Sequence, residues 1–432
     1  MSALTCHYTT FNCARTPINI DHFASALFND LKTNLPPDLV VLSLQEIAPL
    51  GYSFIGGSLL TPYLSRFTTA VNAAATNRFE HEGGYERVVE TNAGMTALLI
   101  FARAETARRV RWVETAGVGV GVLDMGNKGA AAARIGLEGD GEEDVVLTFA
   151  AVHLAPHEWG WEQRNRDWRS ICEGLVFERD EQARGREGKQ GDAPESEPLL
   201  ESREDDMRSV QGSLFSPVSY VFFGGDLNYR TSDTAPDPEG HKKWPQLAIS
   251  RSDTQDYSAL FARDQLTREK KAGKTLHNMA EAEINFPPTY KYSSAAQKAA
   301  AEDTASDSSG VGQTWAKHRV PSWCDRILYL AAASLQIFSY DAGPLQPTSD
   351  HRPVSLSFTI PTGPLGSTEA DVKSPFSVRQ DWKEARAAAQ RYELIVGVAA
   401  YLALTWEGEA LLAGSVVGII GGYLALRAML GT

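Results

Sequence analysis

The stretch SYVFFGGDLNYR, Ser219–Arg230, decides the fold. Tyr220, Val221, Phe222 and Phe223 form a short unbroken apolar run, closed by Gly224 and Gly225. A run of that length bounded by glycines reads as a strand covered on both faces. The polar residues come only after it, as Asp226, Asn228 and Arg230. The same design recurs outward along the chain. DLVVLSLQEI, TALLIFAR, DVVLTFAAVHL and RILYLAA read as buried strands, and VSLSFTI as a strand with period-2 alternation. INIDHFASALFNDLKTNL and EWGWEQRNRDWRSICEGLVF read as amphipathic helices. Strands apolar on both faces, separated by helices and loops, predict a layered α/β sandwich.

Polar residues of one chemical type cluster at the strand ends. They are Asn12, Gln45 with Glu46, His153 with His157, Asp226 with Asn228, Asp325 with Arg326, and Asp350 with His351. Any one of these alone reads as a solvated turn, and Gly-Gly-Asp is a common turn in its own right. Six together, rich in Asp, Asn, Glu and His, point to a site held at the edge of a sheet. Carboxylate and amide oxygens without a cysteine suit a hard cation such as Mg²⁺. With histidines to donate to phosphoryl oxygens, the set predicts metal-assisted phosphoester hydrolysis. No serine or cysteine nucleophile motif competes with it.

The bulk numbers agree. The chain has 432 residues, 43% of them hydrophobic, and a formal net charge of -13. That balance argues against a general nucleic-acid binder, which carries a basic footprint. Cys6, Cys13, Cys172 and Cys324 show neither metal-like nor disulfide-like spacing, which reads as a reduced, cytosolic compartment. MSALTCHYTTFN has neither the basic start nor the apolar core of a secretory signal.

GGDLNYR, VPSWCDRILY and TSDHRPV, in that order, resemble the signature motifs of the inositol polyphosphate 5-phosphatases. LQEI, MGNKGA, FAAVHLAPHEWGWEQRNRD and FPPTYKY resemble further segments of that family, over about residues 4–360. The resemblance implies a four-layered α/β sandwich of the DNase I-like type, spanning 1–360 as the catalytic domain. It implies Glu46 as the main Mg²⁺ ligand, with Asn12 beside it and Asp350 near the metal. Asp226 would orient or deprotonate the attacking water, and Asn228 would hold water and phosphate. His351 would contact the scissile phosphate with Asp325 fixing its tautomer, and His153 would donate from the other side. Asn127 and Lys128 would meet the 1-phosphate of the inositol ring, and Tyr290, Lys291, Lys317 and Arg319 the 4-phosphate. TTFNCAR departs from the family's usual first-strand pattern, which weakens the assignment of Asn12. The implied activity is removal of the 5-phosphate from an inositol polyphosphate or a phosphoinositide. The rival readings are a Mg²⁺-dependent nuclease on the same fold, and a membrane-anchored scaffold with an inactive phosphatase domain. Arg352 has no assigned role beyond pairing with the acids of the site.

Two segments read as insertions. Residues 178–208 carry eleven acidic and six basic side chains, predicting a disordered insertion over about 178–212. AAQKAAAEDTASDSSGVG predicts a loop over about 295–312. Residues 361–390 read as a linker. Beyond it, residues 391–432 hold two apolar runs, Leu394 to Trp406 and Ala410 to Leu426, split by Glu407 and Glu409. A hairpin, a single tail anchor and a pair of core helices all fit the pattern. GSVVGIIGG suits close packing in lipid. Basic Lys383, Arg386 and Arg391 ahead of the runs suit a cytosolic flank, and Arg427 beyond them favours the hairpin. The expectation is membrane attachment through 394–426, at the cytosolic face of the endoplasmic reticulum or another endomembrane, with phosphatidylinositol 4,5-bisphosphate as an example substrate and no nucleic-acid partner.

Overall fold

Each run read above as a strand forms one in the computed structural model. The structure describes residues 3–79, 84–139, 141, 144–179, 212–215, 219–246, 256–302, 314–331, 334–362 and 373–431. Its strands are β1 (Ala3–Asn12), β2 (Leu39–Gln45), β3 (Tyr85–Ala93), β4 (Thr96–Arg103), β5 (Val110–Gly119), β6 (Gly129–Glu138), β7 (Asp144–His153), β8 (Glu178–Arg179), β9 (Ser219–Asp226), β10 (Met279–Ala280), β11 (Asp325–Leu330), β12 (Gln336–Ala342) and β13 (Val354–Pro361). Its helices are α1 (Ile20–Leu27), α2 (Leu50–Ile55), α3 (Thr61–Phe79), α4 (Ala104–Arg108), α5 (Trp161–Gly174), α6 (Ser258–Phe261), α7 (Gln265–Lys271), α8 (Ser294–Glu302), α9 (Trp382–Leu404) and α10 (Trp406–Leu430).

The strands form two sheets, ordered β12-β13-β1-β2-β4-β3 and β10-β11-β9-β7-β6-β5-β8. Every residue of β2 and of β9 is buried, as an apolar strand between two layers requires. The sheets face one another across Tyr8, Leu98, Phe149, Phe222 and Phe358. The Phe222 ring stacks between Phe149 at 5.1 Å and Phe358 at 4.5 Å between centroids. Polar ties cross the same gap: Tyr8 donates to the Ala150 carbonyl at 2.9 Å, and Ser43 to the Gly224 carbonyl at 2.8 Å. On the outer face of the first sheet, α1 and α3 pack through Phe23 and Phe67, and on that of the second, α5 packs through Trp168. These are the four expected layers.

Gly224 and Gly225 are required by space rather than by backbone angle. A Cβ on Gly225 would lie 1.8 Å from the Val152 carbonyl oxygen, and one on Gly224 2.9 Å from the Tyr8 hydroxyl.

Several expectations are corrected. The helix expected over 18–35 stops at Leu27, where Asn29 and Asp30, poor helix formers, follow. The expected loop over 295–312 begins as α8, which buries Ala296 and Ala300 one turn apart beside Tyr292 and Trp315. Its alanines favour helix over loop, and 303–313 lies outside the described residues. Of the expected insertion over 178–212, Glu178 and Arg179 pair with β5 as β8, and 180–211 lies outside the described residues. The expected linker over 361–390 is already helical from Trp382, and 363–372 lies outside the described residues. The two apolar runs of the tail behave differently. The first belongs to α9, which rests on α2 through Gly397 and Tyr401. The second is α10, whose most apolar stretch has no residue buried.

Candidate active site

Strand register builds the site. In the parallel β7–β9 ladder His153 sits opposite Asp226. In the antiparallel β9–β11 ladder Asp226 also sits opposite Asp325. In the other sheet Asn12 pairs with Gln45, one residue before Glu46, and His351 lies three residues ahead of the start of β13. All the polar ends therefore meet at one edge of the sandwich, in a cleft of about 240 Å³.

Asp226 stands at its centre. One carboxylate oxygen accepts from the Asn12 amide at 2.9 Å and the other from the Asn228 N–H at 3.0 Å. His153 Nε2 lies 3.2 Å away and His351 Nε2 3.8 Å away. Burial pushes the Asp226 carboxyl up, but His351, His153 and Arg230 outweigh it and hold the group far below the usual carboxylate range. His351 Nδ1 lies 2.9 Å from Asp325 Oδ2, which also accepts from the Thr289 hydroxyl at 2.6 Å. Burial opposes charge on His351, yet Asp325 and then Asp226 raise it to about 9, so it is an imidazolium at neutral pH. His153 goes the other way: burial and the neighbouring Lys128 push it down.

Glu46 occupies the left-handed region at φ 47°, as does Asn228 at φ 57°. For a glutamate this conformation costs about 1–2 kcal/mol, and such residues concentrate at functional sites. Glu46 meets Lys128 at 3.4 Å and Arg15 at 3.2 Å. Burial raises its carboxyl, but His153, Lys128 and Arg15 bring it below its ordinary value. The oxygens of Glu46 and Asn12 are hard donors, and the buried Asp325 Oδ1 has no hydrogen-bond partner. That donor chemistry fits a hard divalent cation. Asp226, Asp325 and His351 also bring donor atoms within 4.8 Å of one another. A protonated His351 has no lone pair to offer there, whereas the oxygens of Glu46 and Asn12 could hold a cation.

Residues 9–357 match the model for endonuclease/exonuclease/phosphatase family 2. The chain belongs to that family. Among relatives of this family 2 member, the mouse type II inositol 1,4,5-trisphosphate 5-phosphatase is 29% identical, over 76% of this chain and 27% of its own. Inositol-1,4,5-trisphosphate 5-phosphatase 1 of Schizosaccharomyces pombe (strain 972) is 30% identical, over 74% of this chain and 24% of its own. The chain thus spans about a quarter of the length of these relatives. Among solved structures, the inositol polyphosphate 5-phosphatase domain of SPsynaptojanin, in complex with inositol (1,4)-bisphosphate and calcium ion, aligns with a TM-score of 0.56. It is 24% identical, over 92% of this chain and 93% of that one. It shows the shared DNase I-like fold.

Most of the residues singled out in the sequence of this family 2 member come together. Asn12, Glu46, Lys128, His153, Asp226, Asn228, Tyr290, Lys291, Arg319, Asp350 and His351 line the cleft, and Asp325 stands behind His351. Four do not join them: Gln45 is buried in β2 outside the lining, Arg326 pairs instead with Glu281 and Asp264, and Lys317 and Asn127 stand apart as well. Lys317 is exposed outside the lining, and Asn127 lies beside it with its buried side-chain oxygen unpartnered. Asp350 pairs with Lys291 Nζ, which together with His351 holds its carboxyl below the usual range against burial. Arg352 lies outside the lining, its Nε donating to the Gly343 carbonyl at 2.6 Å.

Three participants have no role in the sequence reading. Arg230 is buried, donates to Asn228 and lies 4.3 Å over the Tyr290 ring; its Nη1 has no hydrogen-bond partner. Arg15 pairs with Glu46, and Thr289 supports Asp325. Arg230 follows Asn228 by two positions and Arg15 follows Asn12 by three, so position beside a strand end was the available signal.

Proposed function

We propose that this chain is a divalent-cation-dependent phosphatase that removes the 5-phosphate of an inositol phosphate, with Mg²⁺ as the cation. The supporting observation is one of charge. In a protein of net charge -13, the cleft gathers Arg15, Lys128, Arg230, Lys291 and Arg319 against only Glu46, Asp226 and Asp350. A surplus of cations around a held carboxylate suits a small ligand bearing several phosphates.

Roles follow from the geometry. Asp226 is held so far into its ionised form that it is a weak base, so its main task is to orient the attacking water. His351, as an imidazolium, donates to a phosphoryl oxygen, and Asp325 keeps it charged. Asn228, anchored by its amide to the Leu154 carbonyl at 3.1 Å, frames the same space. Lys128, Lys291 and Arg319 meet flanking phosphates, and Arg230 braces Tyr290 beside them. A cation on Glu46 and Asn12 would supply charge neutralisation at the phosphoryl group and its leaving oxygen.

α10 supports a substrate that lies in a membrane. It has 25 residues, its most apolar 18-residue stretch has a mean hydropathy of 1.7, and at about 1.5 Å per residue the helix exceeds the ~30 Å hydrocarbon core. Among the described residues no other helix passes that test. Because α9 rests on α2, a single span through α10 is favoured over a hairpin. The reading is a phosphoinositide phosphatase, for example toward phosphatidylinositol 4,5-bisphosphate, at the cytosolic face of an endomembrane such as the endoplasmic reticulum.

Phosphate release from a panel of inositol phosphates and inositol lipids, with and without Mg²⁺, tests this. The Asp226→Ala variant is expected to lose activity by roughly 10³-fold or more. Nicking of plasmid DNA with no release from any inositol phosphate would favour the nuclease; inertness of the wild type would favour the scaffold.

A further inference from the structure

A line of hydrogen bonds joins α9 to the cleft. Glu393 Oε1 accepts from the Gly126 N–H at 2.6 Å. The Gly126 carbonyl accepts from the Met95 N–H at 2.8 Å, and the Met95 carbonyl from the Ile47 N–H at 3.3 Å. Gly126 lies two residues before Lys128, and Ile47 immediately follows Glu46. The line thus ends beside both members of the Lys128–Glu46 ion pair.

There is little room for this line to relax. A Cβ on Gly126 would lie 2.8 Å from the Gly94 nitrogen, and one on Gly94, at φ +52°, 2.3 Å from the Gly126 carbonyl oxygen. A second attachment lies one turn further along α9. A Cβ on Gly397 would fall 2.8 Å from Phe54 Cβ, and one on Gly51 2.8 Å from the Tyr401 nitrogen. Both glycine pairs record close backbone approach, one between the Gly94 and Gly126 turns and one between α2 and α9. A helix serving only to tether α10 would need neither.

We propose that Glu393 is a positioning residue, and that α9 is a clamp fixing Lys128 and Glu46 through Gly126. The helix leading to the membrane segment is then part of the ligand-binding apparatus as well as an attachment. The proposal rests on the phosphatase reading for its activity assay.

The test uses the full chain in detergent micelles with soluble inositol 1,4,5-trisphosphate, so that membrane recruitment has no influence. Glu393→Ala is expected to raise KM roughly tenfold with kcat changed by less than about threefold, the size of a lost hydrogen bond to a charged group. Glu393→Gln keeps an Oε1 acceptor and is expected to restore KM to within about twofold of wild type. In a Lys128→Ala background Glu393→Ala is expected to have a clearly smaller effect, because the part that runs through Lys128 is already gone and only the part through Glu46 is left. A Glu393→Ala enzyme with the wild-type KM would overturn the proposal, and so would an undiminished effect in the Lys128→Ala background. If Glu393→Ala fails to melt cooperatively, Glu393→Asp, which retracts the acceptor by one methylene, carries the same expectations. If the wild type releases no phosphate, the phosphatase reading fails. Calorimetric binding of the same compound to the same variants then decides on the clamp.

Discussion

Changing Asp325 to Asn preserves the shape of the side chain and removes the charge that keeps His351 protonated. Burial works against that charge, but the carboxylate 2.9 Å away and then Asp226 raise the imidazole from 6.5 to about 9. The difference is worth about 3 kcal/mol. A group whose folded-state pKa is raised contributes stability that is fully present below about pH 6.5 and is lost as pH rises through about 9. The wild type is therefore expected to lose about 3 kcal/mol of stability across that window from this group, and Asp325→Asn to lack the slope. In the variant the buried imidazole falls back toward its ordinary value, with Asp226 still beside it. At about pH 7.5 the imidazolium then drops from nearly all molecules to as few as roughly one in ten, and kcat falls by up to about tenfold from protonation alone. Lowering the pH to about 5.5 should recover that part of the loss. Phosphate release measured across pH reads the shift, and titration of the His351 ring by NMR reads its cause. An Asp325→Asn profile that keeps its alkaline limb near pH 9 would refute the assignment of His351 as the charged donor.

Further outcomes are expected. Glu46→Gln should weaken Mg²⁺ binding in calorimetry by at least roughly tenfold and lower phosphate release with it; unchanged affinity would place the cation elsewhere. Gly225→Ala drives a methyl group against the Val152 carbonyl and should cost about 3 kcal/mol, seen as a lower Tm. Phe222→Ala empties the stacked contact between the sheets and should cost about 3–5 kcal/mol in denaturant melts. Truncation after Thr405 should abolish flotation with liposomes while retaining hydrolysis of soluble substrate, since α9 stays in place.

The parts of the fold that could be read from the sequence were those where one signal dominated. Strands β2, β4, β7, β9, β11 and β13 carry unbroken or alternating apolar runs. β6 does not: its alanines favour helix, yet it lies between β5 and β7, where small side chains suit a crowded, covered sheet. β3 and β12 are edge strands whose polar side chains face water, so they carry little pattern. In the cleft, groups at strand ends were legible because strands deliver them. Arg15 and Thr289 were not, since each acts through a neighbour that only the folded chain supplies. The docking of α9 was hidden for a similar reason. Hydropathy marks its apolar run but says nothing of the glycine faces that bring it onto α2.

The parallel register of β7 and β9 also governs where this chain can change length. His153 and Asp226 meet because each is the last residue of its strand, counted from Val146 opposite Ser219. Removing a single residue from within either strand would turn one of the two to the opposite side of the sheet. The segment between Arg179 and Gly212 re-enters the chain ahead of Ser219, at the end of β9 remote from Asp226. A change of length there leaves the register that carries Val146 and Ser219 to His153 and Asp226 as it is. Within this chain, tolerance to insertion and intolerance to it are separated by the length of one eight-residue strand.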